Sequence, residues 1–285
     1  MSQLWVVKVY VVGLLEDTPI EEYYIGDTPI WVKREDMVCS RRDFPPLSKI
    51  RGIATLCYKL KMRGYSVVGV LDTRVSKAGW GAAAVCRDLK MKCIVGIPHV
   101  DGEVLPISAR KAQELGADII KLKPSRYSIM YARLRRHVES VGGFTLPLGL
   151  ACEETVLEVR NIVRNMDPKY FEGSLVVCAG TGTILSGIIC GLPRYPQKII
   201  SVSSGMATSK QMRTIKRFVA HWAPMKLAYV LRRLEMIPAI RDYYEESPIA
   251  VPFPCHPNYD AKAWEWLCSN IHVVPKPILF WNIGA

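Results

Sequence analysis

The sequence predicts an α/β fold built on mainly parallel sheets with helices on both faces, and three observations predict it. Short apolar, β-rich runs alternate with helical patterns along the chain. No repeat and no low-complexity linker interrupts that alternation. At 285 residues and 49% hydrophobic content, the chain can bury one large α/β core or two lobes.

The elements follow in order. Lys8 precedes a short apolar run that reaches Leu15 and meets Glu16-Asp17, with no small-residue cleavage site, so it reads as an opening strand and not as a signal peptide. Residues 26–30 (Gly-Asp-Thr-Pro-Ile) are turn-like and lead into Val32-Lys33-Arg34-Glu35-Asp36. Residues 53–61 are helical in pattern. Residues 67–71 form a buried strand, 72–79 a loop, 80–90 an alanine-rich helix and 93–97 the next strand, which together make a βαβ unit. A second unit follows, with a helix over 108–116 capped by Ser108, a strand over 118–121 and a helix over 127–140 that ends near Gly142-Gly143. Residues 153–166 form another helix and 174–178 another strand. The pieces suggest a small α/β domain, residues 52–145, inserted into a larger one made of residues 1–51 and 146–285.

Composition narrows the classes. The chain carries 38 Lys and Arg against 26 Asp and Glu, a formal net charge of +12. That excess favours nucleic acid, a membrane surface or a phosphorylated substrate, with a merely basic enzyme as the plain alternative. Two tracts concentrate it. Residues 205–234 hold Lys210, Arg213, Lys216, Arg217, Lys226, Arg232 and Arg233 with no acidic residue; residues 119–138 hold Lys121, Lys123, Arg126, Arg133, Arg135 and Arg136, again with none. Such tracts either track a phosphate backbone or form solvated helix faces. The nine cysteines include no Cys-x-x-Cys pair, sit mostly in apolar runs and are odd in number, which fits a reduced, cytoplasmic compartment. The five histidines are scattered without helical His-x3-His spacing, so no metal site is expected. No run approaches the ~18 apolar residues that span a bilayer, so no membrane partner is expected.

Three segments carry chemistry. Gly180-Thr181-Gly182-Thr183 joins an apolar strand to a helix; glycines let amides approach an anion, the helix N-terminus adds a favourable dipole, and the threonine hydroxyls can donate. The spacing matches neither a dinucleotide fingerprint nor a Walker lysine loop, and a plain tight turn is the alternative. Lys49 lies just before a helical pattern, where the helix dipole disfavours a cation and would lower the amine's pKa, a setting that favours imine formation. Near the C-terminus come His256-Pro257-Asn258-Tyr259-Asp260-Ala261-Lys262 and a last strand running through Ile278-Leu279-Phe280-Trp281-Asn282 to a small-residue tip.

Together these segments resemble the fold-type II, tryptophan synthase β-like enzymes that use pyridoxal phosphate (PLP), nearest the aminocyclopropane-carboxylate deaminase and D-cysteine desulfhydrase branch. Ser48-Lys49-Ile50-Arg51 resembles that branch's Asn-Lys-x-Arg, which implies that Lys49 is the aldimine lysine. Gly180, Thr181, Gly182 and Thr183 resemble the phosphate loop. Residues 256–262 resemble Asp-Pro-Val-Tyr-Glu-Gly-Lys, which implies that Asp260 faces the pyridine nitrogen and that Tyr259 is an acid/base beside the substrate, a phenol of ordinary pKa near ~10 needing activation. The branch's Ser-Asn-His loop corresponds to residues 74–79, where Ser76 is retained, Lys77 replaces the asparagine and Ala78 the histidine; Ser76 and Lys77 then border the cofactor, and the usual free amino-acid carboxylate site is altered. Leu279 to Ala285 resembles the branch's strand ending in His-Thr-Gly-Gly or His-Leu-Gly-Gly; Asn282-Ile283 departs from His-Thr, although the deaminase-type His-Leu is close. The resemblance also implies two lobes with mainly parallel sheets and a homodimer.

PLP enzymes resembling this branch also serve bacteriophage pathways that hypermodify thymine in DNA. The altered loop and the basic tracts point to Cα carbanion chemistry (decarboxylation, elimination or rearrangement) on an amino acid, including one attached to a modified thymidine in phage DNA, in the host cytoplasm if the chain is viral. Two other readings stay open: a PLP lyase or deaminase of a free small amino acid, and a non-catalytic nucleic-acid-binding protein on a degenerate PLP fold.

Overall fold

The computed structural model of the chain describes Leu15 and residues 17–285. The strand expected from Lys8 to Leu15 lies, apart from Leu15, outside the described residues. In chain order, β1 (Ile20–Ile25), β2 (Thr28–Arg34), α1 (Ile50–Met62), β3 (Val67–Leu71), α2 (Ala78–Asp88) and β4 (Lys92–Pro98) come first. Then follow α3 (Ile107–Glu114), β5 (Asp118–Leu122), α4 (Tyr127–Ser140), β6 (Phe144–Thr145), α5 (Glu153–Arg164) and β7 (Ser174–Ala179). The chain closes with α6 (Thr183–Gly191), β8 (Lys198–Ser203), α7 (Thr208–Trp222), α8 (Pro224–Arg233), β9 (Leu234–Ile237), α9 (Asp260–Asn270) and β10 (Ile278–Asn282). Two compact units result: Cys39–Leu150, and Asp17–Val38 with Ala151–Ala285. Lys49 belongs to the first of these.

The unit Cys39–Leu150 has a four-stranded, wholly parallel sheet in the order β5-β4-β3-β6. On one face, Leu71, Ile94 and Leu122 pack against Met130, Leu134 and Val138, which recur on one side of α4. The expected α4 boundaries hold to the residue. Three helix starts differ from expectation. α1 begins at Ile50, three residues before the pattern expected over 53–61. Ser108 is not a cap: α3 begins at Ile107 after Pro106, and the Ser108 hydroxyl instead donates to Asp72 at 3.0 Å. α2 begins at Ala78, two residues early, because the Asp72 carboxylate accepts the Gly79 amide at 2.8 Å and satisfies a first-turn N–H from outside the helix.

Among the described residues, the other unit has a six-stranded sheet, β1-β2-β10-β7-β8-β9, in which only the β1–β2 hairpin is antiparallel. Period-2 alternation sends its residues to two cores. Leu175, Val177, Leu279 and Trp281 pack with residues of α5, α6, α7 and α8. Val176, Cys178, Ile278 and Phe280 face Ala263, Trp264 and Leu267 of α9. Helices on both faces explain why these strands read as unbroken apolar runs. The parallel strands also bring the C-terminal ends of β2, β10, β7 and β8 to one edge, the edge at which open α/β sheets bind ligands.

Candidate functional site

In the four-stranded unit, Lys49 occupies the position before α1; the Ile53 amide bonds its carbonyl at 3.0 Å, and its own Nζ donates to the Gly149 carbonyl at 3.1 Å. That acceptor lies just past β6, in a backbone where Gly149 (φ +60°) and the buried Leu150 (φ +56°) are both left-handed. A left-handed leucine is strained, and strain of this sort gathers at functional sites. β6 runs parallel to β3, so Lys49 and the loop after β3 lie at the same edge of the sheet.

That loop, residues 72–79, carries Ser76 and Lys77 and is organised by Asp72. The Asp72 carboxylate is fully buried and accepts from the Thr73 amide (3.0 Å), the Gly79 amide (2.8 Å) and the Ser108 hydroxyl (3.0 Å). Burial pushes its pKa up, and the bonds from Ser76 and these donors oppose that. Gly79 must be glycine here, since a Cβ would stand 2.6 Å from Asp72 Oδ2. Ser76 Oγ accepts the Ala78 amide at 3.1 Å. Lys77 precedes α2 with its ammonium largely shielded, and loss of water pulls its pKa below the usual lysine range.

In the six-stranded unit, Gly180-Thr181-Gly182-Thr183 joins the end of β7 to α6. Gly182 has φ +84°, and a Cβ there would lie 3.0 Å from the Gln211 carbonyl. Thr181 and Thr183 share a 2.7 Å hydroxyl–hydroxyl bond. A Cβ on Gly180 would lie 3.6 Å from Ser204 Oγ, which is buried without a hydrogen-bond partner among the described residues. Ser204 follows β8, the neighbour of β7, and its amide bonds the Ala179 carbonyl at 3.1 Å. A glycine turn at a helix N-terminus beside an orphaned hydroxyl is a place for an anion.

Asp260 opens α9 with 1% of its surface exposed. Its Oδ1 accepts the Ile283 amide at 3.2 Å, just beyond β10. Among the described residues no ion pair reaches it, and burial raises its pKa to about 8, against the pull of the Ile283 and Gly284 amides and with the push of nearby Asp36. Tyr259 stands beside it, and the Tyr259 and Tyr243 hydroxyls are 2.6 Å apart. Lys262, two residues further along α9, is fully buried; its Nζ donates to the Asp242 carbonyl at 2.6 Å and reaches those of Tyr243 (3.4 Å) and Ser204 (3.5 Å). A buried ammonium thereby ties the segment carrying Tyr243 to the end of β8.

The expected residues thus form two sets. Lys49, Ser76 and Lys77 sit at the C-terminal edge of one sheet; Gly180, Thr181, Gly182, Thr183, Tyr259 and Asp260 gather at the C-terminal edge of the other. The sequence reading missed Asp72, Ser204 and Tyr243. An aspartate closing the apolar run 67–71, and the Ser203-Ser204-Gly205 run after an apolar strand, were readable signals; Tyr243 has none, since only folding brings it to Tyr259.

No family model matches the chain. Among curated proteins, it is 30% identical over 283 residues to the "Glycyl-dTMP PLP-dependent decarboxylase" of Pseudomonas phage M6, spanning 95% of this chain and 99% of the relative. Among solved structures, it resembles an ACC deaminase homologue (TM-score 0.77, 17% identity, 98% of this chain and 94% of the other). It also resembles threonine deaminase isoform 2 from Solanum lycopersicum (TM-score 0.66, 16% identity, 99% and 84%). A third is an L-serine ammonia-lyase from Rhizomucor miehei (TM-score 0.65, 15% identity, 95% and 94%). These likenesses establish the fold.

Proposed function

Because the chain belongs to the family of the phage glycyl-dTMP PLP-dependent decarboxylase, and is therefore a PLP-dependent enzyme of the lyase type, we infer that it removes the α-carboxylate of an amino-acid group carried by a modified thymidine nucleotide. The near-full-length likeness to that decarboxylase carries the reading.

The residues fit the cofactor on observations independent of the relative. A glycine cradle beside the orphaned Ser204 hydroxyl suits a phosphate. A buried carboxyl without a cation, at the C-terminal edge of the same sheet, suits a protonated ring nitrogen. PLP, when bound, supplies the electron sink for the pair left at the α-carbon as carbon dioxide departs. In this reading Lys49 holds the cofactor's aldehyde carbon, and Gly180, Thr181, Gly182, Thr183 and Ser204 hold its phosphate. Asp260 holds the proton at the ring nitrogen. Ser76 and Lys77 border the cofactor, and the charge of Lys77 suits a carboxylate or the ring hydroxyl. The Tyr259–Tyr243 phenol pair returns a proton to the α-carbon, and Lys262 fixes the main chain that carries Tyr243.

The finer substrate is the amino acid as displayed on DNA. Lys210, Arg213 and Arg217 recur at i, i+3 and i+7 along α7, all exposed, and none is in an ion pair among the described residues. This stripe starts beside the glycine loop, where the Gln211 side-chain amide donates to the Ala179 carbonyl at 2.8 Å. That supports a phosphodiester track leading to the cofactor. No helix among the described residues is long and apolar enough to cross a membrane. A host-cytoplasmic homodimer completes the reading, its mass in solution being the check on the dimer.

The test begins with visible absorbance. The wild-type protein with PLP should show a band near ~410–430 nm that borohydride abolishes, and Lys49→Ala should lack it. Carbon dioxide release is then compared for glycyl-modified DNA, the glycyl nucleotide and free amino acids. Turnover of free amino acids alone would replace this reading with that of an ordinary amino-acid lyase, and a protein that takes up no PLP would end it.

A further inference from the structure

Behind Asp260 lies a buried polar network that the proposed chemistry has not used. β2 ends in Arg34, and Asp36 follows in the short 3-10 turn Glu35–Met37. Arg34 bonds both oxygens of Asp36, Nε to Oδ1 at 2.9 Å and Nη2 to Oδ2 at 2.7 Å, and also bonds Glu21 and the Tyr23 hydroxyl. Asp36 Oδ1 in turn accepts Nδ2 of Asn282 at 2.8 Å; that amide also donates to the Pro254 carbonyl at 2.9 Å. Asn282 is the last residue of β10, fully buried, paired in register with Arg34. The next residue, Ile283, gives its amide to Asp260, and the Gly284 carbonyl beyond it accepts the His256 amide at 3.0 Å.

Two features make this more than packing. The guanidinium is held by two carboxylates whose combined charge outweighs its own, while Asp36 stands close enough to act on Asp260 as a like charge. The Asn282 side chain, moreover, fixes the strand tip whose amides aim at Asp260. We propose that Arg34, Asp36 and Asn282 are positioning residues for Asp260: they hold the tip of β10 in place and keep Asp260 an uncompensated acceptor, so that its charge is available to the ring nitrogen of the cofactor. The inference rests on the reading that Asp260 faces that nitrogen. Among the described residues, the Cys255 thiol, kept neutral by burial, is also within electrostatic reach of Asp260 and of Cys178, Asp36 and Arg34.

The experiment uses the holoenzyme loaded with PLP labelled with 15N in the ring, whose chemical shift reports protonation of that nitrogen directly. Wild type, Asn282→Ala, Asp36→Asn and Asp260→Asn are titrated with pH, with circular dichroism and PLP affinity as checks on folding. Asp260→Asn should leave the ring nitrogen neutral across the range. Asn282→Ala and Asp36→Asn should each shift its titration, the first by loosening the tip and the second to lower pH by removing the like charge that adds to burial in making Asp260 basic. Both should lower kcat by about tenfold, as outer partners of a site residue do, with a smaller change in KM. Folded Asn282→Ala and Asp36→Asn enzymes that titrate like wild type, while Asp260→Asn does not, would overturn the network and leave Asp260 in its role. A ring nitrogen that also ignores Asp260→Asn would overturn the network together with the reading of Asp260.

Discussion

A carboxyl buried away from any cation keeps its proton, and among the described residues Asp260 is placed that way. Its unfolded pKa is about 3.9, while burial raises the folded value to about 8. Between these values the folded, cofactor-free chain holds a proton that the unfolded chain has released. The stability Asp260 contributes is therefore full below pH ~4 and is lost as pH rises through the folded value. Urea midpoints of the cofactor-free protein at pH 5 and pH 8.5 should fall more for wild type than for Asp260→Asn, and parallel losses would show that the carboxyl does not titrate there. Gly182 makes a second residue-scale case. Its φ of +84° costs an alanine roughly 1–2 kcal/mol, and the added Cβ would sit 3.0 Å from the Gln211 carbonyl. Gly182→Ala should weaken PLP binding measurably, read by fluorescence titration, with the fold retained; unchanged affinity would remove this loop from the phosphate site. Gly182 was legible because few residue types turn left-handed at a helix start, and Lys49 stood out by its place just before a helix. Tyr243 was not, because nothing local distinguishes one tyrosine of the Tyr243-Tyr244 pair.

Elements of this chain are set as much by distant side chains as by their own propensity. The α4 boundaries were readable because Met130, Leu134 and Val138 repeat on one face and Gly142-Gly143 ends the pattern. The start of α2 was not readable: its first amide goes to the Ser76 hydroxyl, two residues back, and the next to Asp72, across the loop. The same carboxylate holds Thr73 and Ser108, so one side chain ties the end of β3 to the starts of two helices. Asp72→Ala would leave the Ser108 hydroxyl and two amides short of an acceptor in a buried place, at about 1–3 kcal/mol for each group left unmet. The loop carrying Ser76 and Lys77 should then loosen. Hydrogen exchange over residues 72–79 should quicken in the variant, while exchange over α4 stays protected; uniform quickening would point to general destabilisation of the unit instead.

At the scale of the whole molecule, the alternation of apolar strands and amphipathic helices made the α/β architecture legible, because strands covered on both faces must be apolar throughout. The topology was less so. That β10 inserts between β2 and β7 depends on pairings between residues far apart in the chain, such as Phe280 with Val32, which no local pattern encodes. The charge is likewise a whole-molecule property whose meaning depends on where it lands. If the net charge of +12 merely draws polyanions, any basic tract will serve. If α7 is a track, position will matter, because α7 starts at the glycine loop and its Lys210, Arg213 and Arg217 are outside ion pairs among the described residues, whereas on α4 Arg135 is engaged by Glu139 at 3.5 Å. Reversing Lys210, Arg213 and Arg217 to Glu lowers the net charge by the same amount as reversing Arg133, Arg135 and Arg136. On DNA, the α7 triple variant should flatten the dependence of log affinity on log salt by about three units, near one for each phosphate that is no longer neutralised, and the α4 triple by less than about one. Equal flattening by both would mean that the charge acts as a diffuse field and that α7 leads nothing to the cofactor.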